Sequence, residues 1–434
     1  MLEKGKVLVN IKKIKENTYL IIPMFCIIIW AILYLISSFY NPHETNFQFI
    51  YFDFQIWYRA GQQIYRDPSK LYSTYFGYDI SYTWTPCWAT LFAISISLMP
   101  YAIGYFTLYV INIIVGMLFI REFNKILMLL KVKRKLHRFL FLIIISNGFL
   151  LLNLFRQNQT KFIVGLILFF ILRKEIQYRK GDLNKDLKYN LINYGLFVFA
   201  LGMAPYFIYL LLIYMFHDIK FKDLLKKENI KIYSIVVFMF IFQNILFLIY
   251  PNLIFEFLEG FFKNVNFFIF YLNEWIIFSD IEITLINIIF SIILFVITLI
   301  LIINKKLTLE VKFGYFSLFA IFFGLFANRV LMILLPSILI LFIPFMKQDE
   351  TGFDFIKENI ILLTGFLAIA GIYLNVNPET IYLITIFIIP ASQGFGLMLI
   401  IYLRWIILLI LMLLSFLLLY MKNRDLINEY YLEL

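Results

Sequence analysis

The residues with the most chemical promise lie between positions 41 and 85. This stretch carries the carboxylates Glu44, Asp53, Asp67 and Asp79 and the cations Arg59, Arg66 and Lys70. Asp53 stands among Ile50, Tyr51, Phe52 and Phe54. A carboxylate among aromatic side chains is costly to desolvate unless it is paired or used. Two roles fit it. It can accept a proton from a hydroxyl as a general base, or it can simply favour the start of a helix. Phe54, Trp57, Gly61 and Ile64 fall on one helical stripe, and Asp67-Pro68 ends the pattern, so a helix is expected from Asp53 to Arg66. The 15 aromatic residues from Phe47 to Trp88 supply flat apolar faces.

The elements that must position this stretch are read from composition. The chain has 434 residues, 62% hydrophobic and 15% charged. Ordinary soluble domains are about half apolar and about a quarter charged. Disorder is excluded, because it needs low hydrophobicity and high charge. The composition points to a polytopic membrane protein. Two cysteines, Cys26 and Cys87, make neither a disulfide framework nor a zinc site, and three scattered histidines, His43, His137 and His217, argue against haem, zinc and histidine-based proton relays, so no metal or cofactor is expected.

The net charge of +11 sits in short gaps between apolar runs, and these gaps hold 30 of the 38 basic residues. The positive-inside rule makes the gaps cytoplasmic and removes the case for nucleic acid. Leu20–Phe39 reads as a first, uncleaved span with the N-terminus inside. Further apolar runs follow, several too short to cross a ~30 Å core alone. Residues 86–120 look like two short helices broken at Met99-Pro100. The stretches 41–85 and 251–281 read as extracytosolic and interfacial. The expectation is an all-α polytopic protein with about 11–13 membrane helices. It forms a single domain over 1–434: a first span at 18–40, an outer loop at 41–85, a helical core at 86–346 and C-terminal helices at 347–434.

The run Asp53-Phe-x-x-x-Tyr58-x-Ala60-Gly61, with Tyr72, Tyr82 and Pro86 after it, resembles the first-loop signature of polyprenyl-phosphate-mannose-dependent mannosyltransferases of the GT-C superclass. Arg156-Gln157-Asn158-Gln159, Ala204-Pro205-Tyr206 and Ala327-Asn328-Arg329 fall where that family has further elements, with departures at Arg156, Ala204 and Asn328. The resemblance implies metal-independent hexose transfer, most often of mannose, from a polyprenyl-phosphate donor to a lipid or glycan hydroxyl on the outer face of the cell membrane. In that reading Asp53 is the catalytic base. Arg156, Lys161, Arg329 and Arg59 hold the donor phosphate. Trp57, Tyr58, Tyr72, Tyr82, Gln157 and Asn158 line the sugar and acceptor site. A transporter or lipid-linked-sugar flippase is the competing expectation, because short broken helices serve transport as well. A scaffold that presents a lipid-linked sugar to a partner is a third. Glu256 and Glu259, one turn apart, read as the solvated face of a surface helix.

Overall fold

The computed structural model describes residues 19–36, 52–73, 82, 84–132, 134–146, 155, 158, 160–204, 207–264, 280–322, 336–341 and 343. The chain divides into two units, 1–340 and 341–434, and nearly all described residues belong to the first. The described secondary structure is helical. In chain order it comprises α1 (Tyr19–Ile36), α2 (Phe52–Arg66), α3 (Pro86–Ala93), α4 (Tyr101–Leu129), α5 (Lys135–Ile145) and α6 (Lys161–Arg179). It continues with α7 (Leu187–Met203), α8 (Ile208–Phe216), α9 (Lys227–Gln243), α10 (Asn252–Asn264), α11 (Asp280–Ile303) and α12 (Leu309–Phe322).

Local signals set the helix ends. Asp67 accepts from the Ser69 amide at 3.2 Å and caps the 3-10 turn Pro68–Lys70. Pro86 opens α3, and Pro100 stands just before α4, the positions where a missing amide hydrogen costs least. The C-terminus of α6 turns at Gly181, whose φ of +79° suits glycine. The Asp182 amide donates back to the Gln177 carbonyl at 2.9 Å, closing that end. Asp186 then caps α7 by accepting from the Tyr189 amide at 2.6 Å. The 180–186 turn is thus fixed at both ends.

Helix α6 is the inner element. It packs on α4 and α7, and also touches α12. Phe119 and Phe123 of α4 meet Phe169 edge-on, both at 5.3 Å between centroids, a favoured aromatic geometry. Arg173 of α6 pairs with the buried Glu122 of α4. Arg179 makes a bidentate pair with Glu310 of α12, at 3.0 and 2.5 Å. Helix α1 is tied to α4 by Tyr19 Oη donating to Asn124 and Tyr109 Oη donating to the Ala31 carbonyl. Helix α7 packs on α9, and α8 packs on α11.

Two expectations are corrected. The all-α class holds for the described residues, but the polytopic architecture of about 11–13 membrane helices does not. Among the described residues two helices, α1 and α4, are long and apolar enough to cross a membrane. The multi-pass cell-membrane localisation, with its cytoplasmic N-terminus, loses its basis with it. The physical reason lies in what an apolar run reports. It marks a surface removed from water, and a helix packed among other helices needs that as much as one in lipid. Helix α6 is the clearest case. Its apolar residues Phe162, Val164, Leu168, Phe169, Ile171 and Leu172 are buried in the structure, and its last turns carry Arg173, Lys174, Glu175 and Arg179.

The helix expected from Asp53 to Arg66 forms as α2. Phe54, Trp57 and Gly61 of its stripe are buried. Gly61 lets α2 approach α3 closely: a Cβ there would lie 2.2 Å from Ser97 Oγ and 2.9 Å from the Ala93 nitrogen. The Ser97 hydroxyl is itself held by the Tyr58 carbonyl at 2.8 Å. Gly61→Ala therefore overpacks this contact and should destabilise the fold by about 1–3 kcal/mol. Equilibrium denaturation measures it; an unchanged midpoint would show that the two helices do not meet as described.

Candidate metal centre

The last residue of α8 is Phe216, and the main-chain carbonyls at this end have no partner within the helix. His217 Nδ1 lies 2.8 Å from the Tyr214 carbonyl. Lys305 Nζ donates to the Phe216 carbonyl at 2.8 Å and the His217 carbonyl at 3.1 Å. Lys312 Nζ reaches the His217 carbonyl at 3.3 Å. Cations and donors suit this end of a helix. A carbonyl oxygen can only accept, so Nδ1 carries a hydrogen. That fixes the ring, which also lies parallel to the Tyr214 ring at 13°, and leaves Nε2 to face outward.

Nε2 faces two carboxylates. It lies 2.9 Å from Asp218 Oδ2 and 3.6 Å from Glu175 Oε1. Both ring nitrogens therefore look at acceptors. Nε2 must carry a proton or meet a cation, because a bare lone pair against two anions is repulsive. Glu175 comes from α6, and its side chain is 7% exposed. Its Oε2 accepts from Tyr189 Oη of α7 at 3.0 Å, and its Oε1 accepts from Lys185 Nζ at 2.6 Å. Lys185 Nζ also stands 3.8 Å from Asp218 Oδ2. Asn193 donates to Tyr214 Oη at 3.3 Å, extending the network beneath the ring.

The side chains are perturbed accordingly. Burial opposes the charge on His217, but hydrogen bonds to Asp218 and Glu175 outweigh it and raise its pKa above 6.5. Desolvation likewise opposes the Asp218 anion, and the His217 hydrogen bond overrides it, holding the carboxyl at about 2. Glu175 is also lowered: burial works against its charge, while His217 and Lys185 favour it more strongly. Burial and then Lys305 push the Lys312 ammonium down to about 8.

Among the described residues, Glu175, His217 and Asp218 form a group whose ligand atoms all lie within 4.8 Å of one another. One histidine nitrogen and two carboxylate oxygens suit a borderline divalent transition metal. The surroundings match what ligands of such metals usually have. The distal imidazole nitrogen is held by a main-chain carbonyl, and the buried carboxylate is held by a tyrosine hydroxyl. Glu175 and His217 are 7% and 10% exposed at their side chains, whereas Asp218 is 68% exposed, so one side of the group opens to solvent.

This cluster departs from the sequence expectation, because three scattered histidines argue against a metal site. The sequence signals were slight: a His-Asp pair closing an apolar run, and Glu175 as one of three acids in a largely basic gap. Those of the residues singled out from sequence whose side chains are described lie elsewhere. Asp53 is the second residue of α2, and its side chain lies outside the described residues, as do Arg156, Gln157 and Arg329. Trp57, Trp84, Tyr82 and Tyr72 form a chain of ring contacts at 5.5, 5.6 and 5.7 Å. The hydroxyls of Tyr58, Tyr72 and Tyr82 are spent on the carbonyls of Met99, Trp84 and Thr85. Arg59 is exposed. Lys161 is buried, with Nζ on the Met203 carbonyl at 3.2 Å. Asn158 is buried with φ +50°, donates to the Tyr105 carbonyl and accepts from Asn112.

No protein-family model, no curated protein and no solved structure matches this chain. The resemblance to the GT-C mannosyltransferases is therefore set aside. The polyprenyl-phosphate-dependent glycosyltransferase activity falls with it, together with the hexose donor, the lipid or glycan acceptor and the membrane-lipid partners it implied. The reason is visible in α2. An acid near the start and Tyr58, Ala60 and Gly61 on the buried side are what an amphipathic helix against α3 requires, so the run is not specific to one chemistry.

The pH dependence of stability follows from the two shifts. His217 has a raised folded pKa, so its contribution is fully present below pH 6.5 and is lost as pH rises through the folded value. Asp218 is lowered from 3.8 to about 2, so its contribution is present above 3.8 and is lost as pH falls towards 2. Thermal melts should show the pair stabilising most between those limits, with His217→Gln flattening the decline on the alkaline side. An alkaline limb unchanged by His217→Gln would contradict the ion pairing.

Proposed function

We propose that this protein binds a divalent transition metal of the zinc type, through Glu175, His217 and Asp218. One observation carries the reading: His217 Nδ1 is committed to the Tyr214 carbonyl while Nε2 faces the Glu175 and Asp218 carboxylates. That arrangement demands positive charge between Nε2 and the two anions. Three protein ligands leave a coordination position for water or a small anion, the pattern of reactive rather than purely structural zinc sites. The largely exposed Asp218 provides the side from which an ion and its fourth ligand enter.

Charge balance supports the same reading. Glu175 and Asp218 bring two negative charges, now faced by the Lys185 ammonium and the imidazolium. A divalent ion on neutral imidazole supplies the same two positive charges, with Lys185 turned away. The site is neutral in both states, so exchange leaves no uncompensated buried charge.

Isothermal titration of zinc into the full chain tests this. One equivalent should bind, and Glu175→Gln and His217→Ala should each weaken binding by more than about tenfold, the least that loss of even an outer partner typically costs. Zinc binding that both variants leave intact would place the ion elsewhere and refute the site.

A further inference from the structure

The ammonium of Lys185 stands against two of the three proposed ligands. Nζ is 2.6 Å from Glu175 Oε1 and 3.8 Å from Asp218 Oδ2. An ammonium and a metal cation cannot share those oxygens, because like charges at this separation repel strongly. We propose that Lys185 is a built-in competitor for the metal: it occupies the cation position in the free protein and must withdraw for an ion to bind. This rests on the reading of Glu175, His217 and Asp218 as ligands.

Three features make Lys185 suited to withdraw. It lies in the 180–186 turn rather than inside a helix, and its side chain is 28% exposed. The turn is anchored by the Gly181 bend and the Asp186 cap, so the main chain can stay while the four-carbon stem swings. A second seat is already in contact: Nζ is 4.2 Å from the centroid of the Tyr178 ring, whose residue is 38% exposed. A cation over an aromatic face keeps part of its stabilisation outside the carboxylate cage. The neighbouring cations cannot take its place without loss, since Lys305 and Lys312 hold the carbonyls at the end of α8.

A tethered competitor lowers apparent affinity by the fraction of molecules in which it has left the site. Its removal therefore tightens metal binding, whereas removal of a structural ion-pair partner would loosen the site. The test compares zinc titrations of wild-type protein, Lys185→Met and Lys185→Arg, with thermal melts confirming that each variant folds. Methionine keeps an unbranched stem against Tyr178 without charge, and arginine keeps the cation. Lys185→Met should bind zinc up to about fivefold more tightly, the scale of one partly exposed ammonium–carboxylate contact. Lys185→Arg should stay near wild type. If wild type binds zinc and Lys185→Met binds equally or more weakly, the competitor role is overturned and the metal site stands. If neither wild type nor Lys185→Met binds zinc, both the site and the competitor role are overturned.

Discussion

A single buried carboxylate organises the described structure. Glu175 sits on the inner helix α6 with its side chain 7% exposed, and an isolated anion there would be prohibitively costly. Three elements converge to compensate it. The turn after α6 delivers Lys185, α7 delivers the Tyr189 hydroxyl, and the end of α8 delivers His217. Their placement is not independent of the rest. His217 can present Nε2 only because Nδ1 closes the end of α8, and Tyr189 can reach Glu175 only because Asp186 starts α7 where it does.

The helix carrying Glu175 is held from two sides by charge as well as by packing. Arg173 meets Glu122 of α4, and Arg179 grips Glu310 of α12 with both nitrogens. These pairs bracket Glu175 within about two turns, while Phe119 and Phe123 of α4 fix the upstream half against Phe169. A ligand group on a helix fixed in this way keeps its position without the ion, which is the condition for a site that binds rather than folds around its metal. Asp218 and Lys185 are the more exposed members, and they are the ones that must move or admit solvent.

Local chemistry was legible in the sequence where one residue type decides the outcome. The first helix, the Asp53–Arg66 helix and the breaks at Asp67-Pro68 and Met99-Pro100 all appear, because proline placement and a helical stripe act within a few residues. Helix α4 runs on to Leu129, past the expected end at position 120, since Glu122 takes Arg173 and Lys125 as partners and so tolerates burial. The number of membrane helices was not legible: apolar length reports burial without saying against what. The candidate site was not legible either. Glu175 was hidden among six basic residues of a gap read only for its charge, and His217 gained meaning only once the end of α8 was seen to reach Glu175.

In the proposed site an imidazole and two carboxylates jointly hold a divalent ion. X-ray absorption at the zinc edge of the zinc-loaded full chain addresses it most directly. The expected spectrum shows a first shell of nitrogen and oxygen at about 2.0–2.1 Å, the outer scattering of one imidazole ring, and no sulfur. An outer shell without imidazole, or a first shell containing sulfur at about 2.3 Å from Cys26 or Cys87, would contradict it.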